Sequence, residues 1–214
     1  GTIINLRALV ELKKQYHFKI YADEAHSIGA LGATGRGIAE YYNIDRQQID
    51  FSMGTFTKSF SSIGGYVAGS KDDINKIRQK SQIFNQYVGI CPLFAQQILC
   101  ALEFTQSQGG CQNIRKLKEN SIYFRKELKR LKFTIYGDFD SPVIPVLFYN
   151  PIKMMFLNQE LLKRKIASVV VGFPAVPLVS ARIRFCMSAA HTKEELDYII
   201  EHLNQIGTYV NIKF

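Results

Sequence analysis

Apolar positions along the chain follow two periods. Leu6, Leu9 and Val10 recur at helical spacing in a segment continuing through Leu12 to Lys14, whereas Phe18, Ile20 and Ala22 alternate as a strand does. A short helix over 37–42, ending at Asn43 or Asp45, precedes a second strand, Ile49 to Gly54. A third, shorter strand, Tyr66 to Gly69, follows Gly64-Gly65, and Ser70-Lys71-Asp72-Asp73 fits a helix cap opening a segment through Ile74 and Ile77. Pro92 suits a first helical turn, and Leu93, Gln96, Gln97, Cys100 and Ala101 continue that helix until Gly109-Gly110, where it is expected to stop. Ile114, Leu117, Phe124, Leu128 and Leu131 form the inward stripe of a basic helix running to Lys132.

From Phe133 onward short strands alternate with helices. Val143 to Phe148 and Ile166 to Val171 read as strands around a helix near Met155 to Lys165, and Arg182 to Met187 as a strand with two unlike faces. Thr192-Lys193-Glu194-Glu195 is a capping box for a last helix that turns Leu196, Ile199, Ile200, Leu203 and Ile206 inward. The expected organisation is α/β: residues 1–110 belong to a large, mainly parallel sheet domain, 111–132 to a linking helix, and 133–214 to a smaller α+β domain.

Composition narrows the class. The 214 residues are 47% hydrophobic and 21% charged, ordinary for a soluble globular protein, and no apolar run reaches bilayer-spanning length. The chain opens on Gly1 directly into a helical pattern, so it reads as part of a longer protein. Formal charge is +9, much of it from Arg115, Lys116, Lys118, Lys126, Lys129 and Arg130 on the basic helix. A solvated face accounts for that run; polyanionic substrates or a membrane surface are the functional alternatives, and no aromatic RNA-binding motif accompanies it. Cys91, Cys100, Cys111 and Cys186 have neither C-x-x-C spacing nor histidine neighbours that would make a metal set, so reduced thiols and no metal are expected.

Two clusters carry chemistry. Gly54-Thr55-Phe56-Thr57-Lys58-Ser59-Phe60 places one lysine among small hydroxyl residues at a strand end. An amine removed from water there becomes neutral and can form an imine, while the hydroxyls and backbone N–H groups can hold an anionic group such as a phosphate. Tyr21-Ala22-Asp23-Glu24-Ala25-His26-Ser27 closes the preceding strand. Strand, Asp and His, strand, then Lys is the order pyridoxal 5'-phosphate (PLP) chemistry uses. Asp23 keeps the pyridine nitrogen protonated, His26 bonds the ring's phenolic oxygen and Lys58 carries the aldehyde. Asp23-Glu24-Ala25-His26 also spells the DEAH box of RNA helicases. That reading needs a G-x-x-x-x-G-K-[ST] loop before the box, whereas Lys58-Ser59 lacks the adjoining Gly and follows it.

These motifs, together with Gly32 through Gly37, Val169 to Ala175 and Arg184 to Thr192, resemble the α-oxoamine synthases, fold-type-I PLP transferases, over nearly the whole chain. Within that family the resemblance leans to the PLP-bearing subunit of the eukaryotic serine palmitoyltransferase branch. It implies that Lys58, Asp23 and His26 are catalytic and cofactor-binding, that Thr55 contacts the cofactor phosphate, and that Arg184 lies near the substrate carboxylate. The implied reaction is decarboxylative condensation of serine with palmitoyl-CoA to 3-oxosphinganine. The alternatives are the glycine C-acetyltransferase and 5-aminolevulinate synthase types, or a fragment inactive by itself. The implied setting of the whole protein is the endoplasmic reticulum membrane, with the catalytic part facing the cytosol. There it forms a heterodimer with a companion subunit lacking the lysine, a homodimer being the alternative; the fragment itself is expected to be soluble.

Arg36, within the glycine stretch, is a candidate for the phosphate, a partner or a structural ion pair. Two positions depart from the family pattern. Gly172 stands where bacterial and homodimeric relatives carry an arginine carboxylate anchor, a loss that itself resembles the eukaryotic subunit, and Tyr87-Val88-Gly89-Ile90 offers only a phenol where relatives often place Ser or Thr.

Overall fold

A computed structural model describes residues 1–86 and 89–212. Residues 4–114 form one compact unit; residues 1–3 and 115–214 form another.

In the first unit, α1 (Leu6–Tyr16) starts at Asn5, whose side chain accepts from the Ala8 amide, and buries Leu6 and Val10. β1 (Tyr21–Asp23), α2 (Ile38–Tyr42), β2 (Phe51–Thr55) and β3 (Gly65–Gly69) follow. The sheet runs β1-β2-β3, with β1 parallel and β3 antiparallel to β2. The antiparallel β3 departs from a mainly parallel pattern for a local reason. Phe56 N–H donates to the Gly64 carbonyl at 2.9 Å, so the connection closes as a hairpin and must return the chain alongside β2. Then come α3 (Lys71–Lys80), capped by Ser70 on the Asp73 amide, α4 (Gln82–Gln86) and α5 (Pro92–Gln106).

Helix α6 spans Gln108–Arg130, so Gly109-Gly110 does not stop α5. Ser107 does: it is extended, its N–H and hydroxyl both bond the Phe104 carbonyl, and its Oγ then accepts from the Gly110 amide. Glycine is required at 110 because a Cβ there would meet the Phe104 and Thr105 carbonyls.

In the second unit, β4 (Val143–Leu147), β5 (Val169–Val171) and β6 (Arg182–Cys186) form an antiparallel sheet of order β4-β6-β5, joined by α7 (Pro151–Lys163) and α8 (Lys193–Tyr209). Its core is a continuous cluster including Phe124, Leu128, Ile144, Leu157, Leu161, Ile183 and Leu203. The α8 capping box forms as expected, Glu195 N–H donating to Thr192 Oγ1 and Thr192 N–H to the Glu195 carboxylate. Inside the basic helix, Arg125 is only 1% exposed and donates to the carbonyls of Tyr136, Gly137, Ser141 and Val143. All four cysteines are unpaired. Among the described residues no helix is long and apolar enough to cross a membrane.

Candidate active site

The parallel pairing of β1 and β2 sets the geometry. Their register is Tyr21↔Phe51, Ala22↔Ser52 and Asp23↔Met53, and it extends one step further as Glu24 N–H donates to the Met53 carbonyl at 2.7 Å. Asp23 therefore ends β1 directly beside β2, and β2 ends at Thr55, just before Lys58. Groups at the carboxyl ends of adjacent strands of an open sheet face a shared crevice.

Asp23 is exposed, and its Oδ1 accepts from the Ala25 amide at 2.9 Å. The chain then turns sharply, with Ser27 and Ile28 N–H groups both bonding the Glu24 carbonyl, which presents His26 to solvent. Side chains alternate across the strand end: Asp23 points outward, while Glu24 is 1% exposed. A carboxylate enclosed in this way cannot manage a metal ion and water as the helicase reading requires.

The Lys58 loop is anchored by its aromatic residues. Phe60 is buried, Phe56 meets it edge-on at 5.9 Å, and Phe56 also contacts Tyr66 at 5.4 Å. Ser62 N–H bonds the Phe56 carbonyl and Ser61 N–H that of Lys58, with Ser61 in the left-handed region. Contrary to the expected burial, Lys58 is exposed, because residues 57–59 project beyond the strand end between those anchors. Among the described residues it forms no ion pair. Thr55 is half-buried; its hydroxyl donates to the Gly64 carbonyl at 3.2 Å, accepts from Thr57 N–H and lies 2.8 Å from Thr57 Oγ1.

Ser59, to which the sequence drew no attention, joins the two clusters. Its Oγ donates to the Ile28 carbonyl at 2.9 Å, and its Cβ lies where a side chain on Gly29 would have to go. Beyond Gly29 the glycine stretch is organised by Glu40, which accepts from the Thr34 amide and hydroxyl and from the Arg36 amide. Partial burial pushes the Glu40 carboxyl up, but the Thr34 and Arg36 hydrogen bonds and the Arg36 charge outweigh it and hold the group low. Arg36 thus contributes its main-chain amide and its charge to Glu40.

Asp23, His26, Thr55 and Lys58 all lie in the first unit, at one end of β1 and β2. Arg184 belongs to the second unit, in β6 between Pro145 of β4 and Val169 of β5, and its buried Nε has no hydrogen-bond partner among the described residues. A Cβ added at Gly172 would lie 3.6 Å from Met154 Cε, an ordinary contact distance, so a side chain fits there. Tyr87 and Val88 lie outside the described residues. The donor set of the first unit suits a phosphorylated aromatic aldehyde: a carboxylate at one strand end, a primary amine past the next, and clustered hydroxyls between them.

An open sheet bearing these groups, followed by a separate antiparallel unit, is the α/β arrangement of the fold-type-I class. The same fold is found in a solved serine palmitoyltransferase carrying PLP, with a TM-score of 0.92 and 23% identity, over 99% of this chain and 53% of that one. The chain belongs to the Aminotransferase class I and II family, which matches residues 1–203. It is 46% identical to mouse serine palmitoyltransferase 3 over 218 aligned residues and 45% identical to Caenorhabditis elegans serine palmitoyltransferase 2. All of this chain aligns in both cases, but it spans only 39% of the length of each relative.

Proposed function

We infer that this chain is the lysine-bearing part of a PLP-dependent serine palmitoyltransferase. The observation that carries the inference is the parallel register of β1 and β2, which brings Asp23 and the Lys58 loop to the same sheet end. The whole-chain similarity to serine palmitoyltransferases supports the substrate pair.

PLP, when bound, supplies an electron-withdrawing ring that accepts the electron pair left at the amino acid's α-carbon. Asp23 holds a proton at the pyridine nitrogen, and its exposed carboxylate at the end of β1 suits that contact. His26 would donate a hydrogen bond to the ring's phenolic oxygen, the Thr55 and Thr57 hydroxyls would hold the phosphate, and Lys58 would bind the aldehyde and serve as general base toward the serine α-proton. The new carbon–carbon bond forms at the thioester carbonyl, CoA leaves as the thiol, and the serine carboxylate departs as CO₂. The resemblance assigns Arg184 to the substrate carboxylate.

The resemblance also supports an endoplasmic reticulum setting and a companion subunit that lacks the lysine. A glycine-using α-oxoamine synthase is the second reading, because the ring chemistry is shared. The test is turnover by the full-length protein. CoA release dependent on PLP, serine and palmitoyl-CoA supports the first reading; turnover only with glycine and a short acyl-CoA replaces it with the second.

A further inference from the structure

Between Asp23, which ends β1, and His26 on the turn that follows, the side chain of Glu24 points inward. Glu24 is 1% exposed, and hydrogen-bond donors from three elements converge on its carboxylate. Oε2 accepts from the Ser27 hydroxyl in a very short bond and from the Ile38 amide at 3.0 Å, and Oε1 accepts from the Ser52 hydroxyl at 3.4 Å. Ser27 lies on the turn that carries His26, Ile38 opens α2, and Ser52 lies in β2, the strand that leads to Lys58. The cage is closed by Gly37, where a Cβ would run into Oε2 and where φ is +86°. Ser27 and Ser52 are themselves buried.

Resting on the PLP reading, we propose that Glu24 is the positioning residue of the site. Its carboxylate locks the Asp23–His26 turn to β2 and α2, and so fixes where Asp23 and His26 meet the cofactor ring relative to Lys58. The arrangement suits a carboxylate. The Ile38 amide can only donate, and both serine hydroxyls are placed to donate to oxygens that accept. Glutamine keeps the shape but offers one accepting oxygen, so its NH₂ must turn to a serine Oγ, reversing that hydrogen bond. Alanine leaves the Ile38 amide and the Ser52 hydroxyl without this acceptor, while Ser27 keeps only the Glu24 main-chain oxygen at 3.3 Å.

The test uses the full-length protein and the Glu24→Gln variant, with two readouts. The first is amide hydrogen exchange of residues 23–29 and 38 without cofactor, which does not depend on what the site binds. The anchor predicts exchange about tenfold faster in the variant; equal protection in the two proteins overturns it. The second is PLP affinity together with the pH titration of the bound cofactor's visible absorbance. Weakening of about tenfold, equivalent to about 1.4 kcal/mol, and a displaced absorbance midpoint are expected. Wild-type affinity and an unmoved midpoint in the variant overturn the positioning role even if the turn loosens, because a purely structural anchor would leave the titration alone. Wild-type protein that takes up no PLP sinks the cofactor reading, and the positioning role with it, while the exchange result still decides the anchor. If Glu24→Gln does not fold, Ser27→Ala removes one donor and is expected to move both readouts in the same direction by about threefold, as for a hydrogen bond worth roughly 0.7 kcal/mol. No movement in that variant also overturns the proposal.

Discussion

Ser59 Oγ donates to the main-chain oxygen of Ile28 at 2.9 Å, tying the loop after β2 to the turn after β1. The next residue, Gly29, has φ of +75° and a Cα so close to Ser59 that an added Cβ would lie 2.5 Å from the serine Cβ. One loop carries Lys58 and the other Asp23 and His26, so this pair of residues controls how the two halves of the site meet.

Two substitutions separate the hydrogen bond from the close approach. Ser59→Ala removes one hydrogen bond, a loss of about 1 kcal/mol. Gly29→Ala forces a left-handed alanine, costing about 1–2 kcal/mol before any clash. Thermal unfolding of the full-length protein is expected to rank wild type above Ser59→Ala and Ser59→Ala above Gly29→Ala. A Gly29→Ala protein that melts with wild type contradicts the contact.

Acid should loosen the base of the same sheet. Asp50 Oδ2 accepts from Lys13 Nζ at 2.6 Å and from the Ile20 amide at 2.7 Å, joining α1 to the start of β1. Burial pushes this carboxyl up, but the Lys13 hydrogen bond, the Ile20 amide and the charges of Lys13 and Lys19 together hold it below its ordinary value. A carboxyl depressed by folding stabilises the protein above its unfolded pKa, about 3.9 for aspartate, and that stability is lost as pH falls through the folded value. The melting midpoint should therefore drop on acidification below about pH 4, and Asp50→Asn should flatten that limb while lowering the midpoint at neutral pH. An acid limb identical in the variant would exclude Asp50 as its source.

Arg125 makes a sharper demand on side-chain shape. Its guanidinium reaches carbonyls spread from Tyr136 to Val143, the shortest contact being 2.6 Å to Tyr136. Burial pulls its pKa down, opposed by Asp138 and Asp140. A lysine keeps the charge but cannot reproduce a planar fork, and each buried carbonyl left unpaired costs about 1–3 kcal/mol. Arg125→Lys should lower the midpoint and Arg125→Ala lower it further; a lysine variant as stable as wild type would refute the role of the fork.

Much of this was legible in the chain because local chemistry and global fold agree at those points. The Thr192 and Ser70 caps form where the sequence places them, and the alternation around Ala22 and Ser52 puts Asp23 at a strand end. What stayed hidden depended on contacts distant in sequence. Arg125 falls within the apolar stripe of α6, between Ser121 and Leu128, where nothing local in the sequence marks a buried cation. The Gly109-Gly110 pair looked like a stop signal, yet it serves a close approach to carbonyls that only the folded α5 end supplies. Lys58 looked like a buried amine because the residues around it are small; the aromatic anchors Phe56 and Phe60 instead push it outward. Glu24 and Ser59 lay inside the two motifs without a role of their own, because their partners Ser52 and Ile28 lie on other elements.

The central claim concerns a single nitrogen, Lys58 Nζ. Full-length protein equilibrated with PLP, reduced with borohydride, digested and examined by mass spectrometry reports which lysine held the aldehyde. The account predicts a pyridoxyl group on the peptide containing Lys58 and its disappearance in Lys58→Ala. A pyridoxyl group on a different lysine, with the Lys58 peptide unmodified, would contradict it.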